Sequence, residues 1–317
     1  MSIISKNTKV LSSNSIRFAV STSLEPIDKI LLRCCFPQIA DHEVDRYYEV
    51  AVSGGPDSLA LALLSIASGQ RVRIWHFDHE IRDSSAREAK EVEEFAQAIG
   101  AKFELVTQRI APGPNLEARA RTARRKSFPT GVATGHTMDD QAETFLINLM
   151  RGAGPSGLAA MRPSHAKPIL FLRRSLTVGI CNALALDPIH DESNASDDFL
   201  RNRVRHYLLP VLNEISQREI TPLLSRTSNL LGTEDRYLDE LASKVDPLDR
   251  KELRDCDAVL RLRALRQVIS KLTGYPPSHS GLTTLSNYIE GSGNFRFQLA
   301  GNVDIVCRRN VITYRQL

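Results

Sequence analysis

Ser53-Gly54-Gly55-Pro56-Asp57-Ser58 separates two apolar runs, Tyr47 to Val52 before it and Leu59 to Ile66 after it. The first run is short and β-rich, and the second continues at helical length. The six residues therefore read as the turn between a strand and a helix N-terminus. Unpaired N–H groups of a helix's first turn and the helix dipole both favour an anion there. Gly54 and Gly55 let a phosphate approach the backbone with no Cβ in the way, and Ser53 and Ser58 offer hydroxyl donors. A Walker A loop would need a lysine after its last glycine, and this string has none. A lone S-G-G is more often a connecting turn. The full S-G-G-x-D-S string after an apolar strand is more specific, and it reads as a pyrophosphate grip on ATP.

Outward from that turn the chain alternates strand and helix. Tyr47–Val52 reads as a strand and Asp57–Ala67 as a helix; Val72–Phe77 and Ala86–Ile99 repeat the unit. Phe103–Val106 with Leu116–Lys126, then Gly131–Thr134 with Asp139–Met150, repeat it twice more. Such repetition implies a doubly wound α/β fold, a mostly parallel sheet covered on both faces. Ligands of these sheets bind beyond the carboxyl ends of the strands, where Ser53, Asp78 and His136 all fall. A helix is expected from Glu25 to Cys35 before the first unit. From Arg201 onward long helical stretches appear at 226–243 and 257–273, followed by short strands at Phe295–Leu299, Val303–Cys307 and Val311–Tyr314. The expected organisation is an extension at 1–40, a catalytic domain at 41–220 and a helical domain with a β-meander at 221–317.

The 317 residues carry a net charge of +4, with 42% apolar and 25% charged side chains, a globular balance. No apolar stretch approaches the length that spans a membrane. Five cysteines without a C-x-x-C pair read as reduced thiols of a cytoplasmic protein. The Ser-rich first 23 residues lack a secretory core and read as a mobile tail. Charge is clustered: Arg119, Arg121, Arg124, Arg125 and Lys126 lie near the single acid Glu117, and Arg201, Arg203, Arg205 and His206 form a second group. Either group alone could be a solvated face. Beside an ATP site, phosphate or RNA binding becomes the better reading.

A second motif runs from Gly135 through His136, Asp139 and Asp140 to Glu143. Capping of the helix N-terminus accounts for one of its acids. It does not account for Asp140 and Glu143 three apart on one face, with His136 just before them. Like charges so placed call for a cation, either Mg²⁺ or a substrate ammonium.

The run Gly135-His136-x-x-Asp139-Asp140-Gln141-Ala142-Glu143-Thr144, continued by Arg151, Gly152, Gly154, Gly157 and Leu158, resembles the tRNA(Ile)-lysidine synthases. These belong to the PP-loop ATP pyrophosphatases, whose signature the Ser53–Ser58 turn matches. His76-Phe77-Asp78-His79 with Arg82, Asn115-Leu116-Glu117-Ala118 with Arg121 and Arg124, and Asp191-Glu192-Ser193-Asn194 with Arg201 and Arg205 carry the same likeness. It covers residues 47–212; Arg125 departs from it, standing where the family usually has an aromatic residue. The resemblance implies ATP-dependent attachment of free lysine to the wobble cytidine of an isoleucine tRNA with a CAU anticodon, through an adenylated cytidine. It assigns Ser53, Gly54, Gly55, Pro56, Asp57, Ser58, Asp78 and Gly135 to ATP, and Asp57 and Asp140 to Mg²⁺. It makes Asp57, His136, Asp140 and Glu143 the catalytic set, with Asp140 and Glu143 receiving the lysine ammonium. Arg121, Arg124, Arg151, Arg201 and Arg205 are the implied contacts to tRNA phosphates. The sequence leaves the oligomeric state, homodimer included, open. Two rivals remain, a PP-loop tRNA thiolase, disfavoured by the cysteine spacing, and a non-catalytic nucleotide- or RNA-binding protein.

Overall fold

A computed structural model describes residues 3–4, 10–24, 35–36, 47–78, 85–109, 116–189, 196–299 and 303–316. It divides into two units, Met1–Asn229 and Leu230–Leu317. Most of the helix expected at Glu25–Cys35, together with His79, Arg82 and the Asp191–Asn194 string, lies outside the described residues.

The first unit is built on a parallel sheet. β1 (Tyr48–Ala51), β2 (Val72–Asp78) and β3 (Lys102–Thr107) lie in that order, Val50 opposite Ile74 and Ile74 opposite Phe103. The fourth strand expected at 131–134 contracts to one residue. Ala133 exchanges hydrogen bonds with β1, donating to Glu49 and accepting from Ala51, each at 2.8 Å. The order is thus Ala133, β1, β2, β3, an α/β sheet whose carboxyl ends share one edge.

The helices follow the expected spacing. α1 spans Ser13–Ser23, α2 Pro56–Ala67, α3 Ser85–Ala98, α4 Leu116–Ser127 and α5 Met138–Met150. A short turn α6 (Pro155–Leu158) and α7 (Arg174–Ala183) come next. α2 is apolar on every side, and Leu59, Leu61, Leu63 and Leu64 are each fully buried. A helix without a polar face must be covered all round. The sheet covers one side of α2, and α1 and α7 pack against it as well. This explains why α1, in the stretch that read as a mobile tail, is part of the core: its Ile16, Ala19 and Val20 are buried. Truncating Leu61 to Ala would cost about 2–5 kcal/mol at such a site.

After α8 (Leu200–Arg203) a π-helical turn at Val204–Leu208 leads into α9 (Leu209–Ser216). A π-turn adds a residue to the helical repeat and often accompanies a functional site. α10 (Ile220–Ala242) runs into the second unit.

In that unit α11 (Arg250–Asp255), α12 (Ala258–Thr273) and α13 (His279–Glu290) pack with an antiparallel meander. Its strands β4 (Phe295–Leu299), β5 (Val303–Arg308) and β6 (Val311–Gln316) pair Phe297 with Ile305 and Ile305 with Tyr314. Leu253, Leu265, Leu285, Ile289, Val303 and Ile305 form its core. The buried Arg250 donates to the main-chain oxygens of Tyr288 (2.9 Å), Ile289 (3.0 Å) and Gly291 (2.6 Å), closing the end of α13.

Candidate active site

The glycine turn is held by its own hydroxyls. Ser58 Oγ donates to the Gly55 carbonyl at 2.8 Å and accepts the Ser53 N–H at 3.2 Å, with Ser53 Oγ 3.4 Å away. Gly54 has φ +88°, a left-handed backbone that favours glycine. Its carbonyl accepts the Ile189 N–H at 3.0 Å, and a Cβ there would sit 2.3 Å from Ile189 Cδ1. Gly55 caps α2 and Pro56 takes its first position, where no N–H is needed.

Gly135 brings the second motif onto this turn. A Cβ at Gly135 would lie 2.7 Å from the Asp57 carbonyl oxygen and 3.0 Å from the Ser58 nitrogen. Only glycine lets the two main chains approach so closely. Thr137 then caps α5 in a reciprocal box with Asp140, whose Oδ2 accepts from the Thr137 N–H (2.8 Å) and hydroxyl (3.0 Å). His136 Nδ1 lies 2.7 Å from Thr134 Oγ1, which also lies 3.1 Å from the Ala166 carbonyl. At the end of β2, buried Asp78 uses its carbonyl to accept the Gln108 N–H at 3.0 Å. Behind it His76 Nδ1 lies 2.8 Å from the Val52 carbonyl, and burial lowers the His76 pKa.

Residues that the sequence did not single out complete the site. Arg173 is the N-cap of α7 and Arg174 its first residue, at the positive end of a helix dipole, where cations are disfavoured. The acids of α5 offset this. Asp139 is gripped by Arg173 at 3.1 and 3.2 Å and accepts the Arg174 N–H at 2.8 Å. The Arg174 guanidinium donates to Asp57 Oδ2 at 3.0 Å, Asp140 Oδ1 at 2.9 Å and Glu143 Oε1 at 3.4 Å. Thr177, one turn on, donates to Asp57 Oδ1. The only sequence sign of these partners is a double arginine at a helix start with no acid in its first turn.

Arg201 and Arg205 approach from the helix that starts at Leu200. Arg201 donates to Glu143 Oε2 at 2.6 Å and Asp140 Oδ1 at 3.2 Å; Arg205 grips Glu143 at 2.7 and 3.2 Å. Both arginines, read from sequence as phosphate contacts, are here ion-paired with the catalytic-motif acids. Arg151, at the far end of α5, is exposed and about 16 Å along the axis from Asp140. Arg124 lies on α4, and the Arg121 side chain is outside the described residues.

The donors are unevenly shared. A carboxylate offers roughly four acceptor sites. Glu143, with no exposed surface, receives four donors, from Arg174, Arg201 and twice from Arg205. Asp140 receives four as well, from Arg174, Arg201 and twice from Thr137. Asp57 receives two, from Arg174 and Thr177. Burial pushes the Asp57 carboxyl up despite Arg174 and Thr177. Burial acts the same way on Asp140, but Arg174, Arg201 and the Thr137 N–H outweigh it, and its pKa is lowered. Three acids against Arg174, Arg201 and Arg205 give a formal balance of 3 − 3 = 0.

Among the described residues no group of three or more His, Cys, Asp or Glu forms a metal cage. Mg²⁺ bound with nucleotides does not need one, since it commonly takes one or two carboxylates plus phosphates and water. Among the described residues Asp57 accepts two hydrogen bonds, which leaves acceptor capacity on a carboxylate that shares the Arg174 guanidinium with Asp140, and this fits that pattern.

Residues 32–212 match a PP-loop domain family. The chain is 36% identical to a tRNA(Ile)-lysidine synthase of Rhodococcus erythropolis over 71% of its own length and 74% of the relative's. It is 34% identical to that of Gloeobacter violaceus, over 72% and 78% of the two chains.

The chain belongs to the tRNA(Ile)-lysidine synthase family.

A third member, from Rhodococcus jostii, is 38% identical, and the match spans 65% of this chain and 66% of the relative. Among solved structures, a U34-tRNA thiolase from Methanococcus maripaludis with a [4Fe-4S] cluster superposes with a TM-score of 0.50 at 17% identity, over 68% of this chain and 80% of that one. At that identity the likeness is one of PP-loop fold alone. Among the described residues, no helix is long and apolar enough to cross a membrane.

Proposed function

We propose that this chain uses ATP to modify tRNA, attaching free lysine to the wobble cytidine of an isoleucine tRNA with a CAU anticodon. One observation carries the reading: Asp57 of the glycine turn and Asp140 of the second motif meet on one guanidinium, that of Arg174, at 3.0 and 2.9 Å. The two motifs of the family signature thereby form one site at the carboxyl edge of the sheet.

In the first step the cytosine O2 attacks the α-phosphorus of ATP and pyrophosphate leaves. The main-chain N–H groups around Gly54 and Gly55 would hold the departing pyrophosphate. Asp57 and Asp140 would hold Mg²⁺, which would neutralise charge growing on the leaving group. His136, braced by Thr134, is assigned to the α-phosphate. In the second step the lysine amine attacks C2 of the adenylated cytosine, AMP leaves and a proton is released. Asp140 and Glu143 already hold guanidiniums, and a lysine ammonium is a cation of the same class. The amine must lose a proton before attack. A carboxylate of the cluster beside the amine would receive it. The target base must leave its stack to reach the site, and the second unit is assigned to tRNA shape.

Supplying ATP–Mg²⁺ and the CAU tRNA without lysine separates the two steps. An adenylated tRNA should accumulate, and added lysine should discharge it as AMP. Formation of no such adduct, with ATP consumed only when lysine is present, would refute the two-step scheme.

A further inference from the structure

We propose that Arg174 is a resident cation which occupies the carboxylate cluster before substrates arrive, so that divalent metal loads only together with the nucleotide. This rests on the reading of Asp57 and Asp140 as metal ligands.

The geometry is that of a shared counter-ion. One guanidinium contacts Asp57 at 3.0 Å, Asp140 at 2.9 Å and Glu143 at 3.4 Å, and no other residue among those described touches all three acids. Its side chain is 23% exposed, and that of Glu143 is 0% exposed. With Arg201 and Arg205 the cluster is neutral, so a free divalent ion would bring two uncompensated charges into a largely buried site. Such a charge is costly to desolvate without a partner.

A nucleotide changes that balance. Its phosphates bring negative charge with the metal, and they offer Arg174 new acceptors matched to its planar donors. Asp57, with two donors against four at Asp140 and four at Glu143, keeps Thr177 alone when Arg174 turns to the phosphates, and is the acid this opens to the metal. Asp140 keeps Arg201 and Thr137, and Glu143 keeps Arg201 and Arg205. Arg174 is thus a positioning residue that holds Asp57 and Asp140 together and sets the order of loading.

The test is a titration of the full chain with Mn²⁺ alone, followed by the loss of the free-ion electron paramagnetic resonance signal. Wild type should bind Mn²⁺ only weakly without a nucleotide and take it up when a non-hydrolysable ATP analogue is added. Arg174→Gln, neutral and of similar reach, should bind Mn²⁺ without nucleotide about ten-fold or more tightly than wild type. Arg174→Lys, which restores the charge, should return toward wild type. Binding of Mn²⁺ to nucleotide-free wild type as tight as to Arg174→Gln would overturn the proposal. So would a folded Arg174→Gln that still takes up none. If that variant does not fold, the wild-type titration decides alone. No tRNA or lysine enters this experiment, so it can fail while lysine transfer stands, and the reverse.

Discussion

The main chains of Gly135 and Asp57 are in such close contact that a single methyl group at Gly135 would lie 2.7 Å from the Asp57 carbonyl oxygen. The obstacle is backbone, which cannot turn aside as the end of a side chain can. Gly135→Ala should therefore push the second motif off the glycine turn. The expected cost is about 1–3 kcal/mol of stability, read as a lower urea midpoint, with loss of ATP-dependent activity exceeding what the stability change explains.

Asp57 and Asp140 should respond to pH with opposite sign. The Asp57 pKa is raised above the ordinary 3.8, chiefly by burial, so folding favours its neutral form. That contribution is complete below pH 3.8 and is lost as pH rises through the folded value. The Asp140 pKa is lowered, its guanidinium partners outweighing burial, so its contribution is present above 3.8 and is lost as pH falls through the folded value. At pH 7 without metal, Asp57→Asn should melt higher than wild type and Asp140→Asn lower. Both differences should shrink toward pH 3. Melting curves of the three proteins from pH 3 to 7 check this. Asp57→Asn should also stop AMP release while leaving tRNA binding largely intact.

Glu143 should prove the anchor of the cluster. Its buried carboxylate balances Arg174, Arg201 and Arg205. Removing one partner of a buried ion pair costs about 3–5 kcal/mol. Glu143→Ala should destabilise by that amount in guanidinium unfolding. Arg205→Ala should cost less, since Glu143 retains Arg174 and Arg201 and the Arg205 side chain is 27% exposed.

Ser58 supports the turn. Ser58→Ala removes its bond to Gly55 and its acceptor for the Ser53 N–H, at a cost of about 1 kcal/mol. The expected signature is a raised KM for ATP with a smaller change in kcat, measured by pyrophosphate release.

The strands and most helices were legible because each rests on local pattern. The run of apolar and β-branched residues at Val303–Cys307 between two turns and the apolar residues of α2 are written in consecutive positions. The glycine turn and the acids of α5 were legible for the same reason. The cluster's wiring was not. Asp57 and Arg174 are 117 residues apart, and Glu143 and Arg205 are 62 apart, so no local spacing joins them. From sequence Arg201 and Arg205 read as contacts to phosphate; only tertiary packing turns them onto Glu143. α1 escaped notice because Ser13, Ser15, Ser21, Thr22 and Ser23 gave its stretch the composition of a tail. Its ordering follows from the demand of α2 for cover on the side away from the sheet.

The central claim is that the shared site of Asp57 and Asp140 serves lysine transfer to tRNA. Its most direct test is to incubate the protein with ATP–Mg²⁺, labelled lysine and isoleucine tRNA transcripts bearing CAU or GAU anticodons. Label is expected in the CAU tRNA alone, with one AMP released for each lysine attached. Consumption of ATP with the CAU tRNA but no lysine incorporated would contradict it and point to a different nucleophile.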